Sequence, residues 1–167
     1  MPGPSASRPY MPGYGIVSAG EGRGLLPWEW AGERLLRSRE YWVATTGLGG
    51  GSQLSPVWGV WDGAAFWFSS SAGSRKARNL RDDPRCTVAT ADTHQPVVLE
   101  GRGVLVSDPA AVAAFAAASD EKYATIYGVE FYLANACFRV DPERVFGLDD
   151  ADFTGTPTRW VFPHPHG

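Results

Sequence analysis

The chain has 167 residues, 44% of them hydrophobic and 13% aromatic, which predicts one folded domain with its own core and excludes a disordered chain. Its 15 Lys and Arg against 18 Asp and Glu give a formal net charge of −3. That balance excludes a general attraction to nucleic acid or to an acidic membrane surface, so we expect neither as a partner.

The sequence does not show the segments that mark export or membrane insertion. No stretch approaches the ~20 apolar residues of a membrane-spanning helix, and the N-terminal residues do not follow the signal-peptide pattern. The two cysteines, Cys86 and Cys137, lie in different segments and outside any CxxC motif. We therefore expect a cytoplasmic protein with reduced cysteines, although a single disulfide between them stays open.

Residues 1–27 are predicted to form an N-terminal arm. They contain five prolines and many glycines, which exclude a helix or a central strand. They also contain Tyr10, Tyr14 and Leu26, apolar side chains that a fully solvated tail does not need. We expect part of the arm to lie across the body of the protein or across a partner subunit.

The segment 28–150 is predicted to form the domain, and 151–167 a C-terminal tail. Hydrophobic period, caps and turn residues define the elements of the domain. In chain order they are a helix at 28–37, a three-stranded meander at 41–46, 53–60 and 65–69, a helix at 74–81, strands at 86–90 and 96–106, a helix at 110–118 with an optional second helix to 127, and strands at 137–140 and 144–148. Antiparallel neighbours with helices outside the sheet predict a mainly β, α+β barrel.

The segment 66–80 is the part of the sequence that indicates chemistry. A strand ends in the hydroxyls of Ser69, Ser70 and Ser71, and the chain then enters a helix that begins with Ser74, Arg75 and Lys76. Hydroxyl groups, free first-turn amides and two cations are the donors that a phosphate monoester needs. The alternative interpretation, equally weighted from residue types alone, is a serine cap on a helix with solvated cations.

Five motifs in order decide between these interpretations. They are Pro56–Trp61, Phe66–Ser69, Ser74–Leu80, Asp83–Arg85 and Val98–Gly101. In this order and spacing they resemble the pyridoxamine 5′-phosphate oxidase-like, flavin-binding split-barrel superfamily, and within it the actinobacterial flavin/deazaflavin oxidoreductase B branch, whose members often use coenzyme F420. The resemblance covers about residues 28–148 and extends to the segment 158–160.

The resemblance implies a six-stranded antiparallel split β-barrel with peripheral helices, assembled as a homodimer with a cofactor site at each subunit interface. It implies that the strand 56–60 runs beside the flavin-type ring and that the segment 69–76 grips the phosphate. The predicted cofactor-binding residues are Pro56, Val57, Trp58, Gly59, Ser69, Ser70, Ser71, Ser74, Arg75, Lys76, Asn79 and Trp160.

The function that the resemblance implies is an F420-dependent oxidoreductase that transfers a hydride between the cofactor and a small organic molecule. FMN is the alternative cofactor, and a non-catalytic carrier or sensor of a cofactor, or of a ligand such as haem, is the alternative function. A plain dimeric scaffold is a third reading. The oxidase's own substrate-phosphate residues are not found, so oxidation of pyridoxamine phosphate is not expected. Gly49–Gln53 replaces the usual Asp-Gly-Arg-Pro-His-like turn, which removes a basic residue there.

The remaining aromatic and titratable residues give weaker indications. Trp42 and Trp67 are expected in the core, Trp58 equally in the core or the site, and Trp160 as a lid over the partner's site. Lys122, Tyr123 and Tyr127 are expected to pack a helix on the barrel rather than line the pocket. His94 is expected in a solvated turn, and His164 and His166 lie in a Pro-rich terminus. We predict no metal and identify no catalytic residue.

Overall fold

The computed structural model describes residues 3–163, which form one antiparallel sheet with helices around it. The described strands are β1 (Ser5–Ser7), β2 (Tyr41–Thr46), β3 (Ser52–Val57), β4 (Val60–Trp61), β5 (Phe66–Ser70), β6 (Arg85–Thr90), β7 (Val97–Val106), β8 (Ala136–Gly147) and β9 (Thr158–Val161). The described α-helices are α1 (Trp28–Arg37), α2 (Arg75–Asp82), α3 (Pro109–Tyr123) and α4 (Gly128–Leu133). His164 and His166 lie outside the described residues.

Six longer strands form the barrel, in the spatial order β3-β2-β6-β7-β8-β5. The strand β8 pairs with β7 along one edge, and with β5 and then β9 along the other. The two end strands, β3 and β5, are not paired with each other within the described residues. The barrel is therefore open at a seam between β3 and β5, and the predicted split-barrel class is confirmed.

The predicted meander over 41–69 is wrong. The predicted strand 53–60 is interrupted at Trp58 and Gly59, so β3 pairs with β2 whereas β4 pairs with β5. A Cβ on Gly59 would lie 2.1 Å from the ring of Phe66, so the backbone crosses very close to β5 at this point. The turn at Asp62 and Gly63 is confirmed, because β4 and β5 pair across it and Gly63 has φ +96°.

The predicted break between strands at 137–140 and 144–148 is also wrong, because β8 runs without interruption. The register shifts between Glu100 and Gly101 of β7, which pair with Arg144 and Pro142 of β8, so that Glu143 of β8 has no partner on β7. A Cβ on Gly101 would lie 2.2 Å from the Asp141 carbonyl oxygen. The glycine and the bulge accommodate a proline that would otherwise end a central strand.

The helices α1 and α2 occupy the predicted segments, and the Ser74 side chain accepts from the Ala77 amide as a cap at 3.2 Å. The alanine-rich helix α3 is longer than predicted and continues to Tyr123. It ends because Ala124 adopts the left-handed conformation, with φ 54°. The Asp120 carboxylate then accepts from the Thr125 hydroxyl and the Gly128 amide and so leads the chain into α4.

Within the described residues, the N-terminal arm and the segment after residue 150 are both attached to the sheet. Part of the arm forms β1, which pairs with β9, and β9 pairs with the second half of β8. The Arg8 guanidinium fixes the rest of the arm by donating to backbone carbonyls at Val17, Ser18, Glu21 and Pro157. The segment after residue 150, expected as a tail, thus contributes a strand to the fold.

The core fills the barrel and a smaller layer beneath α3. Trp67 is buried in that smaller layer, as predicted. The prediction for Trp42 is wrong, because it points to the outer face of β2 and its residue is 41% exposed. The alternation of β2 buries Tyr41 and Val43 instead.

Candidate functional site

A pocket of about 330 Å³ opens at the seam between β3 and β5. The end of β3, the end of β5, the first turn of α2 and one face of α3 and α4 surround it. Seven predicted cofactor-binding residues line it: Pro56, Val57, Trp58, Ser69, Ser70, Ser71 and Lys76. The ring strand and the hydroxyl segment, which are separate in sequence, therefore meet at one cavity.

The corner from β5 to α2 supplies hydroxyl groups at one end of this pocket. Ser70 Oγ lies 2.8 Å from Ser74 Oγ, and Ser74 Oγ also accepts from the Ala77 amide. Ser74 is therefore engaged in the cap and does not line the pocket. Ser69, Ser70 and Ser71 remain the hydroxyl groups that a bound group would meet.

Positive charge accumulates at the same corner without compensation from the chain. The first turn of α2 has no acidic residue and carries Arg75 and Lys76, with Arg78 following. Within residues 3–163 none of these three side chains makes an ion pair or a side-chain hydrogen bond. Cations at the positive end of a helix, next to unsatisfied first-turn amides, are unfavourable until an anion binds there. An anionic group would therefore be favoured at this corner.

An aromatic wall from α3 and α4 closes the other side of the pocket. Its rings are those of Phe115, Tyr127, Phe131 and Tyr132. Tyr127 stacks on Phe131 with ring centroids 4.5 Å apart, and the Tyr132 hydroxyl donates to Ser119 Oγ at 3.0 Å. Flat apolar surface facing a cluster of hydroxyls and a cation suits a planar ring system that carries a phosphate.

Sequence reasoning missed most of this wall. Phe115, Ser119, Phe131, Tyr132 and Asn135 were not singled out. Tyr127 was considered and assigned to packing, whereas it lines the pocket. Its spacing of four residues from Phe131 places both rings on one helix face, and that spacing is the signal that would have found them.

A family model described as pyridoxamine 5′-phosphate oxidase matches residues 31–149. The chain belongs to this family. The stated resemblance is thereby confirmed, and the family includes flavin-binding oxidoreductases. No curated protein matches the chain.

Several solved structures share the fold of this family member. A conserved hypothetical protein from Mycobacterium tuberculosis, Rv2991, is 24% identical with a TM-score of 0.65, covering 85% of this chain and 92% of its own. An F420 reductase is 22% identical with a TM-score of 0.58, covering 68% of this chain and 93% of its own. A heme binding protein from Mycobacterium smegmatis is 19% identical with a TM-score of 0.57, and the match covers 78% of this chain and 62% of that protein. At these identities the likeness shows the fold alone.

The other five predicted site residues do not line the pocket of this family member. Arg75 is exposed beside it, Ser74 is the cap, and Gly59 lies behind Trp58. Asn79 is buried, where its amide donates to Thr45 Oγ1 at 3.0 Å and Gln53 Oε1 at 3.3 Å. It ties α2 to β2 and β3, so it supports the corner without facing it.

The prediction of Trp160 as a lid is wrong. Its residue lies within β9, is 1% exposed and packs edge-to-face against Trp28 at 5.7 Å. The side chain therefore belongs to the core of its own chain and is not available to cover a partner's site. The sequence around it resembles a tail because β9 is short and flanked by prolines.

Trp58 follows the end of β3, lines the pocket and contacts the end of α3. Its residue is 51% exposed, and its indole stacks on the Tyr123 ring at 4.4 Å with an interplanar angle of 2°. Behind it, the Lys122 ammonium donates to the Gly59 carbonyl and to Tyr41 Oη, both at 2.8 Å. Burial and the neighbouring Arg39 lower the pKa of Lys122 to about 8.

Other groups that could carry chemistry do not line the pocket. Both cysteines are free and buried, and burial raises the pKa of each thiol. His94 is exposed in its turn and faces Asp150 at 2.6 Å, which raises its pKa. Over residues 3–163 no three His, Cys, Asp or Glu side chains group as metal ligands, and no helix there is long and apolar enough to cross a membrane.

Proposed function

We propose that this family member is an F420-dependent oxidoreductase that transfers a hydride between the cofactor and a small organic molecule. The observation that supports this most is the seam pocket, where the ring strand, three serine hydroxyls, Lys76 and an aromatic wall converge. Each group matches one part of a phosphate-bearing, ring-shaped cofactor.

The residues present fit such a cofactor. Ser69, Ser70, Ser71 and Lys76 would hold the phosphate, since they bring hydroxyl donors and a cation without an acidic partner among the described residues. Trp58 and the aromatic wall would hold the ring. A volume of about 330 Å³ in one protomer lies at the lower end of the ~300–1,000 Å³ of small-molecule pockets, which agrees with a site that a second subunit completes.

The chain's own groups would bind, orient and shield. When bound, the cofactor supplies the hydride chemistry itself. The pocket lining contains no Asp, Glu, His or Cys among the described residues, so the protein offers no dedicated carboxylate or imidazole to move a proton. Its aromatic side chains exclude water from the ring face, and the proton of the product would come from solvent.

The positive charge beside the pocket favours F420 over FMN as the cofactor. Both cofactors carry one phosphate near the ring, whereas F420 also carries an acidic tail. Arg75 and Arg78 lie next to the pocket corner without ion partners in the described part of the chain, and they are suited to carboxylates beyond the phosphate. The F420 reductase with the same fold supports this choice only weakly, at 22% identity. FMN remains the alternative cofactor.

We also propose that the protein is a homodimer with its sites at the interface. The outer face of β2 and β3 carries Trp42, Ala44, Leu54 and Pro56, and Leu54 is 62% exposed. Trp42 lies opposite Pro56 and Ala44 opposite Leu54, so the four form one apolar patch. Pro56 belongs both to this patch and to the pocket lining, and a second copy on the patch would therefore border the pocket.

Turnover tests the proposed activity. Reduced F420 and, separately, reduced FMN are mixed with the protein and a panel of small organic acceptors, and oxidation is followed by absorbance. We expect acceptor-dependent oxidation of F420 that Lys76→Ala diminishes and Arg144→Ala does not, because Arg144 pairs with Glu100 away from the pocket. Tight cofactor binding without oxidation of either cofactor would favour the non-catalytic carrier, which agrees with the absence of Asp, Glu, His and Cys from the described lining.

A further inference from the structure

The Trp58-Gly59 segment is held by a helix instead of a strand. It joins β3, which ends at Val57, to β4, which begins at Val60, and neither residue has a ladder partner. A buried peptide without ladder bonds needs other partners. The Gly59 amide donates to Tyr123 Oη at 2.9 Å, and the Gly59 carbonyl accepts from Lys122 Nζ at 2.8 Å.

Tyr123 contacts both the backbone and the side chain of this segment. Its hydroxyl oxygen accepts from Gly59 and its proton reaches either the Gly59 carbonyl at 3.0 Å or the Arg39 carbonyl at 2.8 Å. Its ring stacks on the indole of Trp58. Two consecutive residues at the end of α3 therefore fix the peptide and the wall of the pocket together.

Lys122 is not explained by stability alone. Within the described residues no carboxylate pairs with it, and the charged side chain that acts on its pKa, Arg39, is also positive. Contacts with the rings of Tyr41 and Tyr123, at 4.8 and 5.4 Å, offset the burial of its charge only in part. An apolar side chain of similar volume would pack α3 on the barrel without desolvating an ammonium group.

We propose that Lys122 and Tyr123 are positioning residues that hold Trp58 as a fixed wall of the pocket through the Gly59 peptide. The orientation of Trp58 then depends on two hydrogen-bonding side chains of α3, because its own residue is half exposed and its segment lies outside the sheet. The proposal concerns the pocket itself and does not depend on which cofactor binds there.

Fluorine NMR on the ligand-free protein tests this. All seven tryptophans are replaced by 5-fluorotryptophan, and the Trp58 signal is assigned by its loss in Trp58→Phe. In Lys122→Met and Tyr123→Phe, the latter of which keeps the stacking ring, we expect the Trp58 signal to shift or broaden while the other six stay in place. Lys122→Arg, which keeps a cationic donor, should return the signal toward its original position, and the exposed Glu121→Gln on the same helix should leave all seven unchanged.

An unmoved Trp58 signal in both variants overturns the proposal, and so does an equal displacement of all seven signals, which would mean a general loss of structure. Whichever of FMN or F420 the wild type binds should bind several-fold more weakly to Lys122→Met and Tyr123→Phe. Unchanged affinity in both variants also overturns the positioning role. If the wild type binds neither cofactor, the proposed function fails while the NMR result still decides this inference.

Discussion

Lys76 is the residue on which the assignment of the anionic end depends. It lines the pocket beside Ser69, Ser70 and Ser71, at the positive end of α2, and the described structure gives it no acidic partner. Arg75 lies one position earlier but outside the lining. The sequence analysis assigned both cations to the phosphate. In the structure they differ in exposure, so we expect them to contribute differently to cofactor binding.

Replacing Lys76 by Ala should weaken binding of a phosphate-bearing cofactor more than replacing Arg75 by Ala. A lost hydrogen bond to a charged group costs about 1.5–3 kcal/mol, equivalent to roughly 10- to 100-fold in affinity. Isothermal titration with each variant measures this, with Arg144→Ala as the control cation elsewhere on the surface. Equal cofactor affinity of the wild type and both variants would show that the corner from β5 to α2 does not bind the phosphate.

The lowered pKa of Lys122 predicts a pH dependence of stability. Its pKa is about 8 in the folded protein and 10.5 when unperturbed, so between these values the unfolded chain holds a proton that the folded chain has released. The free energy of unfolding should therefore rise with pH in that window through this group. Tyr41 and Tyr123, whose pKa values burial raises, act in the opposite direction above about pH 10.

Urea unfolding of wild type and Lys122→Met, at several pH values from about 7.5 to 9.5, isolates this contribution because the tyrosines are common to both. The difference in unfolding free energy between the two proteins should change with pH in favour of the wild type. If the unfolding free energies of the two proteins changed with pH in the same way, the ammonium group would not be desolvated in the folded protein.

At the scale of elements, two features form the site: the interruption between β3 and β4, and the corner at which β5 leads into α2. The interruption at Trp58 and Gly59 separates β3 from β4 and leaves the seam in which the pocket lies. The corner from β5 into α2 brings the serines to the same seam, supported from behind by the buried amide of Asn79. Neither element alone would form the pocket.

A side chain at Gly59 should destabilise the fold. The Cβ of Gly59→Ala would meet the Phe66 ring at 2.1 Å and the Trp67 carbonyl oxygen at 3.0 Å, and overpacking of this kind costs about 1–3 kcal/mol. Thermal unfolding should show a lower midpoint than for Gly73→Ala, since Gly73 has an ordinary φ and open space around it. Equal midpoints for the two variants would contradict the close crossing over β5.

Local sequence patterns correctly predicted the elements whose boundaries depend on neighbouring residues alone. The boundaries of α1 and β2 agree with the prediction, and the Ser74 cap and the Asp62-Gly63 turn are confirmed. The predicted meander was wrong because β5 pairs with β8 instead of β3. That pairing depends on contacts between residues distant in sequence. The break predicted in β8 was wrong because the close approach of the strands beside Pro142 depends on Gly101 of a different strand, β7.

The same distinction holds for the site. The corner from β5 to α2 is contiguous in sequence, so its serines and cations are seen together there, and the resemblance to the family favoured a phosphate over a solvated helix cap. The aromatic wall comes from α3 and α4, which follow two further strands in the chain, and only the fold brings Phe115 and Tyr132 to the seam. Trp160 was misplaced because its burial depends on pairing between β9 and β8, which a short flanked strand does not reveal.

At the scale of the whole molecule, the apolar patch on β2 and β3 predicts a dimer that a single charge should disrupt. Leu54→Glu places a carboxylate in the centre of the patch, where burial against a second copy would desolvate it. Light scattering after size exclusion should show a dimer for wild type and a monomer for this variant. Leu36→Glu, at a leucine of similar exposure (59% against 62%) on α1, is the matched control and should stay dimeric.

The proposed function requires that the seam pocket binds a phosphate-bearing deazaflavin or flavin. Calorimetric titration of the purified wild-type protein, first with F420 and then separately with FMN, tests that claim most directly. We expect micromolar or tighter binding of F420, on the order of −8 kcal/mol, with weaker binding of FMN. Tighter binding of FMN would move the protein to the flavin-dependent alternative, and the absence of binding by both cofactors would contradict the central claim.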